Sequence, residues 1–315
     1  MEKMKAVVYD KKGSPEKLRY RDVDKPVPAH NEILVKIHTV SLNAADYRSM
    51  QMGLIPRKKI FGADISGTVE STGEAVSAFQ PGDEVIGGLA NLGFGGLAEF
   101  VAAPEKAFVK KPKEISFSEA SSLPIAGITA LQALRDKGNI RKGDKVLVVG
   151  SAGGVGTFAV QLAKYFGAEV TAVCSTKNVE QTYALGADVV LDYTEETFTG
   201  KNKRYNIILG VNGSYPLLAY RRALASGGSY VMIGGSYGQI FKSLVFGWIL
   251  SVGGKKMKFL SAKEAGPDLE FLAELTAKKI IKPVIEKHYP LEKAAEAMNY
   301  LKQGHASGKV LIEVA

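Results

Sequence analysis

The stretch Lys145 to Lys164, KVLVVGSAGGVGTFAVQLAK, constrains what this chain can fold into more than any other. Lys145–Val149 is a short, β-branched, apolar run, the pattern of a strand buried on both faces. Gly150-Ser151-Ala152-Gly153-Gly154-Val155-Gly156 follows at once, and Thr157 to Phe166 carries apolar residues at helical spacing. Strand, glycine turn and helix in that order predict the first βα unit of a dinucleotide fold. Backbone N–H groups of Ala152, Gly153, Gly154, Val155 and Gly156 would approach a pyrophosphate at the positive end of the helix. A glycine run alone marks only a tight turn; one set between a buried strand and an amphipathic helix is a stronger signal.

The chain has 315 residues, enough for one large or two ordinary domains. Its single cysteine, Cys174, excludes an internal disulfide and a cysteine-rich metal site. The start, MEKMKAVVYD, lacks the apolar run of a secretory signal. The longest apolar patch, Ile240 to Val252, is too short for a membrane span and is interrupted by Lys242. These features predict a cytoplasmic enzyme. The net charge of +9 comes from lysines spread through the chain, so it is read as a solvated surface rather than a nucleic-acid footprint. No zinc finger, RNA-recognition signature or basic heptad pattern is present.

Up to about Ser121 the chain is rich in strands and turns. Glu32–Val40 alternates as a strand should, with Ile33, Val35 and Ile37 on one face. Ser41 to Arg48 reads as a turn entering a short helix, with Asp46 near its start. Turns are expected at Gly73, Pro81-Gly82-Asp83 and Gly87-Gly88. A helix is expected over Ala120–Asp136, and from there strands alternate with helices. Such alternation implies a parallel sheet with crossover helices. Strands at Val284–His288 and Lys309–Val314 return to the first region. The class is α/β, with one domain formed by residues 1–121 and 263–315 and another by 122–262.

Several motifs in this order carry a family resemblance: NAAD at Asn43–Asp46, GADISGTVESTG at Gly62–Gly73, PGDEV at Pro81–Val85 and LPIAGITALQAL at Leu123–Leu134. GSAGGVGTFAVQLAK at Gly150–Lys164, LGADVVLDY at Leu185–Tyr193 and GHASGKVLI at Gly304–Ile312 complete them. Over nearly its whole length the chain resembles the zinc-free quinone oxidoreductases of the medium-chain dehydrogenase/reductase superfamily. The resemblance implies a GroES-like, β-rich catalytic domain, a Rossmann doubly wound parallel-sheet domain and a homodimer. Phe61, Asn206 and Ser307 depart from the usual pattern, which has proline, aspartate and arginine there.

Zinc members hold their metal with cysteine, histidine and an acid in a tetrahedral set. At the matching positions this chain has Asn43, Ala63, Asp64 and Ile125, so no metal is expected. His30, His38, His288 and His305 stand far apart and are read as surface or strand residues. After Cys174 come Ser175-Thr176-Lys177, with no acid to accept bonds from a ribose 2′-hydroxyl. Hydroxyls and a lysine attract a 2′-phosphate, so NADPH is expected over NADH, held by Ser175, Lys177 and Tyr193. Ser175-Thr176 also suits a helix cap. Cys174 reads as a small buried residue.

The remaining chemistry is hydride delivery to a quinone or an α,β-unsaturated carbonyl, with donors for the oxyanion that forms. Asn43 and Tyr47 are the candidate donors, and Thr129 is placed at the cofactor. The resemblance implies that Gly234, Gly235, Ser236, Leu260 and Ser261 line the nicotinamide side, with Lys309 near it. The apolar segment 238–256 is read as a buried helix or dimer interface, or as an acceptor wall with Phe246 and Trp248. Two other readings stand beside this one: an enoyl-thioester reductase, and a low-turnover NADPH-binding sensor or RNA-binding protein.

Overall fold

The chain was described from a computed structural model, which covers all residues except 1, 10–11, 57, 200–203, 213–214, 236–237, 240–246, 248–249, 252, 264 and 315. Ser236, Phe246 and Trp248 therefore lie outside the described residues, as does most of the apolar segment. Two compact units are present: Met1–Ala126 with Glu264–Ala315, and Gly127–Lys263.

The first unit begins with an antiparallel ribbon, β1 (Lys3–Val8) and β2 (Arg19–Asp24). Then come β3 (Glu32–Leu42), helix α1 (Ala44–Gln51), β4 (Asp64–Thr72), β5 (Glu84–Gly88), β6 (Phe100–Pro104), β7 (Phe108–Lys110) and helix α2 (Phe117–Ser121). Ile33, Val35 and Ile37 of β3 are fully buried while Lys36 between them is exposed, as the alternation predicts. Leu34 is buried too, so the strand is covered on both faces at that point. Gly87 and Gly88 are the last residues of β5 rather than a turn. A Cβ on Gly87 would lie 2.5 Å from the ring of Phe108, which crosses that strand.

The expected long helix over Ala120–Asp136 is broken. Ser116 and Glu119 close a capping box at the start of α2, with Ser116 N–H donating to Glu119 Oε2 at 2.9 Å. Pro124 then opens a separate helix, α3 (Pro124–Gln132), because proline lacks the N–H that a continuous helix would need there. One wider π turn, Ala133–Gly138, ends it.

The second unit holds β8 (Lys145–Val149), α4 (Gly154–Tyr165), β9 (Glu169–Cys174), α5 (Val179–Ala184) and β10 (Val189–Asp192). It continues with β11 (Tyr205–Gly210), α6 (Leu217–Ala223), β12 (Leu224–Met232) and β13 (Lys256–Phe259). All six strands are parallel in the order β10-β9-β8-β11-β12-β13. Counted from β8, that is the doubly wound order 3-2-1-4-5-6, which reverses between β8 and β11. Helix α4 starts three residues earlier than its apolar spacing predicts, inside the glycine run. Asn206, a departure from the family pattern, accepts the Lys145 N–H through Oδ1 at 2.8 Å and so aligns the starts of β8 and β11. Phe198, Tyr220 and Tyr230 stack in this core, the last two with ring centroids 4.5 Å apart.

The chain returns to the first unit through a helix at Gly266–Ala277, strand β14 (Ile285–Pro290), a helix at Ala294–Lys302 and strand β15 (Lys309–Glu313). The sheet there runs β14-β15-β3-β4-β5-β7. One edge of β3 is shared in succession: Glu32–Lys36 pair with β6, and Thr39–Leu42 pair with β15. Two distant parts of the chain thus register on one strand, and that register sets where Lys309 lies.

Candidate functional site

In the second unit the expected cofactor residues gather at the carboxyl ends of the parallel strands, where doubly wound sheets bind their ligands. Gly150 leaves β8 with φ +88°, and a Cβ there would lie 3.0 Å from the Asn212 N at the end of β11. Ser151 is fully buried and its hydroxyl donates to the Val173 carbonyl at 3.1 Å, which ties the turn to β9. Gly156 packs α4 onto that turn, since a Cβ on it would lie 2.1 Å from the Gly150 oxygen. Gly153 caps the helix and is different: the nearest atom to its would-be Cβ is 3.9 Å away. Its side of the turn is clear, so a phosphate can approach the unpaired N–H groups of the first helical turn.

Ser175 follows β9 at the start of a short turn, and its Oγ accepts from the side-chain Nδ2 of Asn178 at 3.0 Å rather than from a backbone N–H, so the expected side-chain cap is not formed. Lys177 is exposed. Tyr193 is 56 % exposed, and its N–H donates to the Cys174 carbonyl at 3.0 Å, which places it beside Ser175. β10 brings one acid to this corner that was not foreseen. Asp192 pairs with Cys174 in register, and its Oδ1 accepts from Thr194 N–H at 2.9 Å and Thr194 Oγ1 at 2.8 Å. The Thr176 hydroxyl and these bonds hold its carboxyl below the ordinary range. Gly234 follows β12 and Leu260 follows β13, while Ser261 is exposed and Thr129 is buried in α3. Cys174 is buried, and burial pushes its thiol pKa up, so it is no nucleophile.

In the first unit Asn43, Asp46, Asp64 and Lys309 form a buried polar cluster. Asn43 follows β3 and is the N-cap of α1. Its N–H donates to Asp46 Oδ2 at 2.8 Å, and the Gly62 N–H donates to Asp46 Oδ1 at 3.1 Å. Asn43 Nδ2 donates to the Ser41 carbonyl at 3.1 Å and to Asp64 Oδ2 at 2.9 Å. The Ile125 N–H donates to the same Asp64 oxygen at 3.0 Å. Lys309 Nζ donates to Asn43 Oδ1 at 2.7 Å. Both N–H bonds of the Asn43 amide are therefore engaged within the unit, which leaves this expected donor with none for an acceptor. Tyr47 is half-buried, and its hydroxyl makes no hydrogen bond among the described residues.

Burial dominates the electrostatics here. It pushes the Asp46 carboxyl up to about 6, against the bonds from Asn43 and Gly62 and the nearby Lys309 charge. Burial likewise pushes Asp64 up to about 7, against Lys309, the Ile125 N–H and Asn43. Asp64 Oδ1 and the Ser41 hydroxyl, opposite each other in the β3–β4 register, have no hydrogen-bond partner among the described residues. Burial pulls Lys309 below the usual lysine range, against the two carboxylates.

These residues do not fit a tetrahedral zinc. The Asn43 amide is engaged, Ala63 offers no side-chain donor, and Ile125 enters only through its N–H. Among the described residues no group of three or more His, Cys, Asp or Glu side chains converges. His38 stacks on Phe117 at 4.1 Å, and His288 lies 2.8 Å from Glu313, both structural placements.

A GroES-type sheet unit and a Rossmann unit in one chain define a medium-chain dehydrogenase/reductase. Residues 29–113 match the alcohol dehydrogenase GroES-like domain, and residues 185–312 match the zinc-binding dehydrogenase model. A chloroplast envelope quinone oxidoreductase homolog of Arabidopsis thaliana is 37% identical over 94% of this chain and 94% of its own length. An NADPH-dependent alkenal/one oxidoreductase of the same plant is 30% identical over 98% of this chain and 79% of its own. The solved quinone oxidoreductase of Coxiella burnetii superposes with a TM-score of 0.90 at 30% identity, covering 100% of both chains. The chain belongs to the quinone oxidoreductase family of this superfamily and is an oxidoreductase.

Two variants separate packing from binding at the glycine turn. Gly156→Ala is expected to lose about 2 kcal/mol of stability in urea unfolding, because the methyl group collides with backbone. Gly153→Ala should stay within about 0.5 kcal/mol of the parent, yet bind NADPH about tenfold more weakly in fluorescence titration. Asp64→Asn tests the buried carboxyl. Between the unfolded value of 3.8 and the folded value of about 7, the native state keeps a proton that the unfolded chain has released. That contribution therefore makes stability fall as pH rises through the window. At roughly 1.4 kcal/mol per unit, the decline expected from Asp64 is on the order of a few kcal/mol. Urea midpoints at pH 4 and pH 8 should show this decline in the parent and a smaller one in Asp64→Asn, where Asp46, raised to about 6, still contributes with the same sign.

Proposed function

We propose that this chain is an NADPH-dependent, zinc-independent reductase of quinones or α,β-unsaturated carbonyls. The observation that carries the proposal is the chemistry of the first unit's polar cluster. Apart from Asp64 Oδ1 and the Ser41 hydroxyl, its donors and acceptors bond one another, and Asn43, Ala63 and Ile125 supply no tetrahedral ligand set, while the second unit keeps an intact dinucleotide turn. Alcohol oxidation of the zinc type needs a Lewis acid to acidify the alcohol. Reduction of a conjugated carbonyl needs only a hydride source and donors for the developing oxyanion.

The Gly153–Gly156 turn fits a pyrophosphate. Ser175, Lys177 and Tyr193 fit a 2′-phosphate, with Asp192 held by Thr194 and Thr176 beside them. Reduced nicotinamide, when bound, supplies the hydride. The Tyr47 O–H makes no hydrogen bond among the described residues, and it is assigned to hydrogen-bond the acceptor oxygen. Asn43 acts behind it, at the cap of the helix that carries Tyr47. The names of the plant relatives, a quinone oxidoreductase homolog and an alkenal/one oxidoreductase, support the same acceptor class. A homodimeric, cytoplasmic enzyme is the form we assign to it. Among the described residues no helix is long and apolar enough to cross a membrane.

The test is an acceptor panel of quinones and enones with each nicotinamide, with and without chelator. NADPH should exceed NADH about 100-fold in kcat/KM, and Lys177→Ala should narrow that gap about tenfold, as expected for one charge-assisted phosphate contact. Tyr47→Phe should lower kcat about tenfold or more. Equal use of NADH, or activity abolished by chelator, would refute the proposal.

A further inference from the structure

Lys309 opens β15 and is 3 % exposed. Lysine is among the side chains least often fully buried, and a buried ammonium is tolerated only with specific compensation. Here the compensation runs through one amide. Lys309 Nζ donates to Asn43 Oδ1 at 2.7 Å, and Asn43 Nδ2 donates onward to Asp64 Oδ2 at 2.9 Å. The two ends of that amide are thereby distinguished. An ammonium has no lone pair and requires the oxygen, and the Asp64 carboxylate and Ser41 carbonyl accept from the nitrogen. A rotated amide would face N–H toward ammonium and oxygen toward carboxylate. Asn43 in turn gives its backbone N–H to Asp46, and Asp46 holds Gly62. Tyr47 follows Asp46 directly in the first turn of α1. With its ammonium inside this cluster, Lys309 has little surface to offer a cofactor.

We propose that Lys309 is a positioning residue for the reaction: it fixes the Asn43 amide and balances the buried carboxylates, and so sets the start of α1 and the place of the Tyr47 hydroxyl. The assignment rests on the reading of Tyr47 as the acceptor's donor. The family resemblance implies a Lys309 near the nicotinamide; the role proposed for it is to hold Asn43 rather than to bind the cofactor. The cation acts from the far end of the chain, 266 residues away from the asparagine it holds.

Steady-state kinetics of Lys309→Met and Lys309→Ala, beside NADPH titration and thermal unfolding, test this. Lys309→Met keeps most of the stem and removes the charge. Its kcat should fall about 30-fold with KM and Kd for NADPH within about twofold, because misplaced groups cost rate rather than cofactor affinity. Added methylammonium or ethylammonium should restore kcat of Lys309→Ala at least about fivefold, a response that lost packing alone does not give. The pair Lys309→Met with Asp64→Asn removes both charges and should unfold at a higher temperature than Lys309→Met alone. If Lys309→Met does not fold, that double variant decides: recovery of folding supports the assignment, and equal loss overturns it. A rise of about tenfold or more in Kd for NADPH with unchanged kcat would make Lys309 a cofactor contact and overturn it. So would parental kcat and stability in Lys309→Met, or a lack of amine rescue. A parent enzyme that turns over no quinone or enone sinks the functional reading alone, and the unfolding comparison still judges the charge pairing.

Discussion

The first unit depends on a single buried chain of hydrogen bonds. It links the end of β3, the cap of α1, the start of β4, the N–H of Ile125 and the first residue of β15. These segments are far apart in sequence. An unsatisfied buried polar group costs about 1–3 kcal/mol, more when charged, so such a network is stable only when nearly complete. Its gaps are few and local: Asp64 Oδ1 and the Ser41 hydroxyl. The apolar core around it, from Ile33 and Ile37 to Val310 and Ile312, excludes water and makes each bond count for more.

The second unit is governed by close approach of backbone to backbone. Gly156 lets α4 close onto the Gly150-Ser151 turn that follows β8, at the carboxyl end of that strand. Strand order then determines which side chains share the corner with Ser175. Tyr193 is brought there by its backbone bond to Cys174, and Asp192 by its register with the same residue. The acid is bonded to Thr194 and Thr176, which favour its ionised form, and shares this corner with Ser175 and Lys177.

Much of this was legible in the sequence because it is local. The β8–turn–α4 unit, the alternation along β3 and the strand–helix alternation after residue 121 follow from periodicity and turn chemistry. The departures also have local causes. Pro124 divides a helix that spacing alone runs together, and Gly87 stays in a strand because Phe108 crosses it. The polar cluster was legible only in part. Asn43 stood out by its position, yet the commitment of its amide depends on Lys309, which only the pairing of β15 with β3 brings near. Asp192 escaped for the same reason: no spacing in the chain says that β10 lies beside β9. A signal was available for Lys309, a lysine opening the apolar run Val310-Leu311-Ile312, where an exposed strand end is not guaranteed.

In the proposed reaction the reducing equivalent passes from a bound dinucleotide to a conjugated acceptor without a metal. Chelator-dialysed protein, with its zinc content measured, mixed in single turnover with nicotinamide-4-deuterated NADPH and an enone tests it most directly. Deuterium is expected at the β-carbon of the product from one face of the nicotinamide, at a rate unaffected by removal of metal. Product without deuterium from either face, or transfer that returns only when zinc is restored, would contradict it.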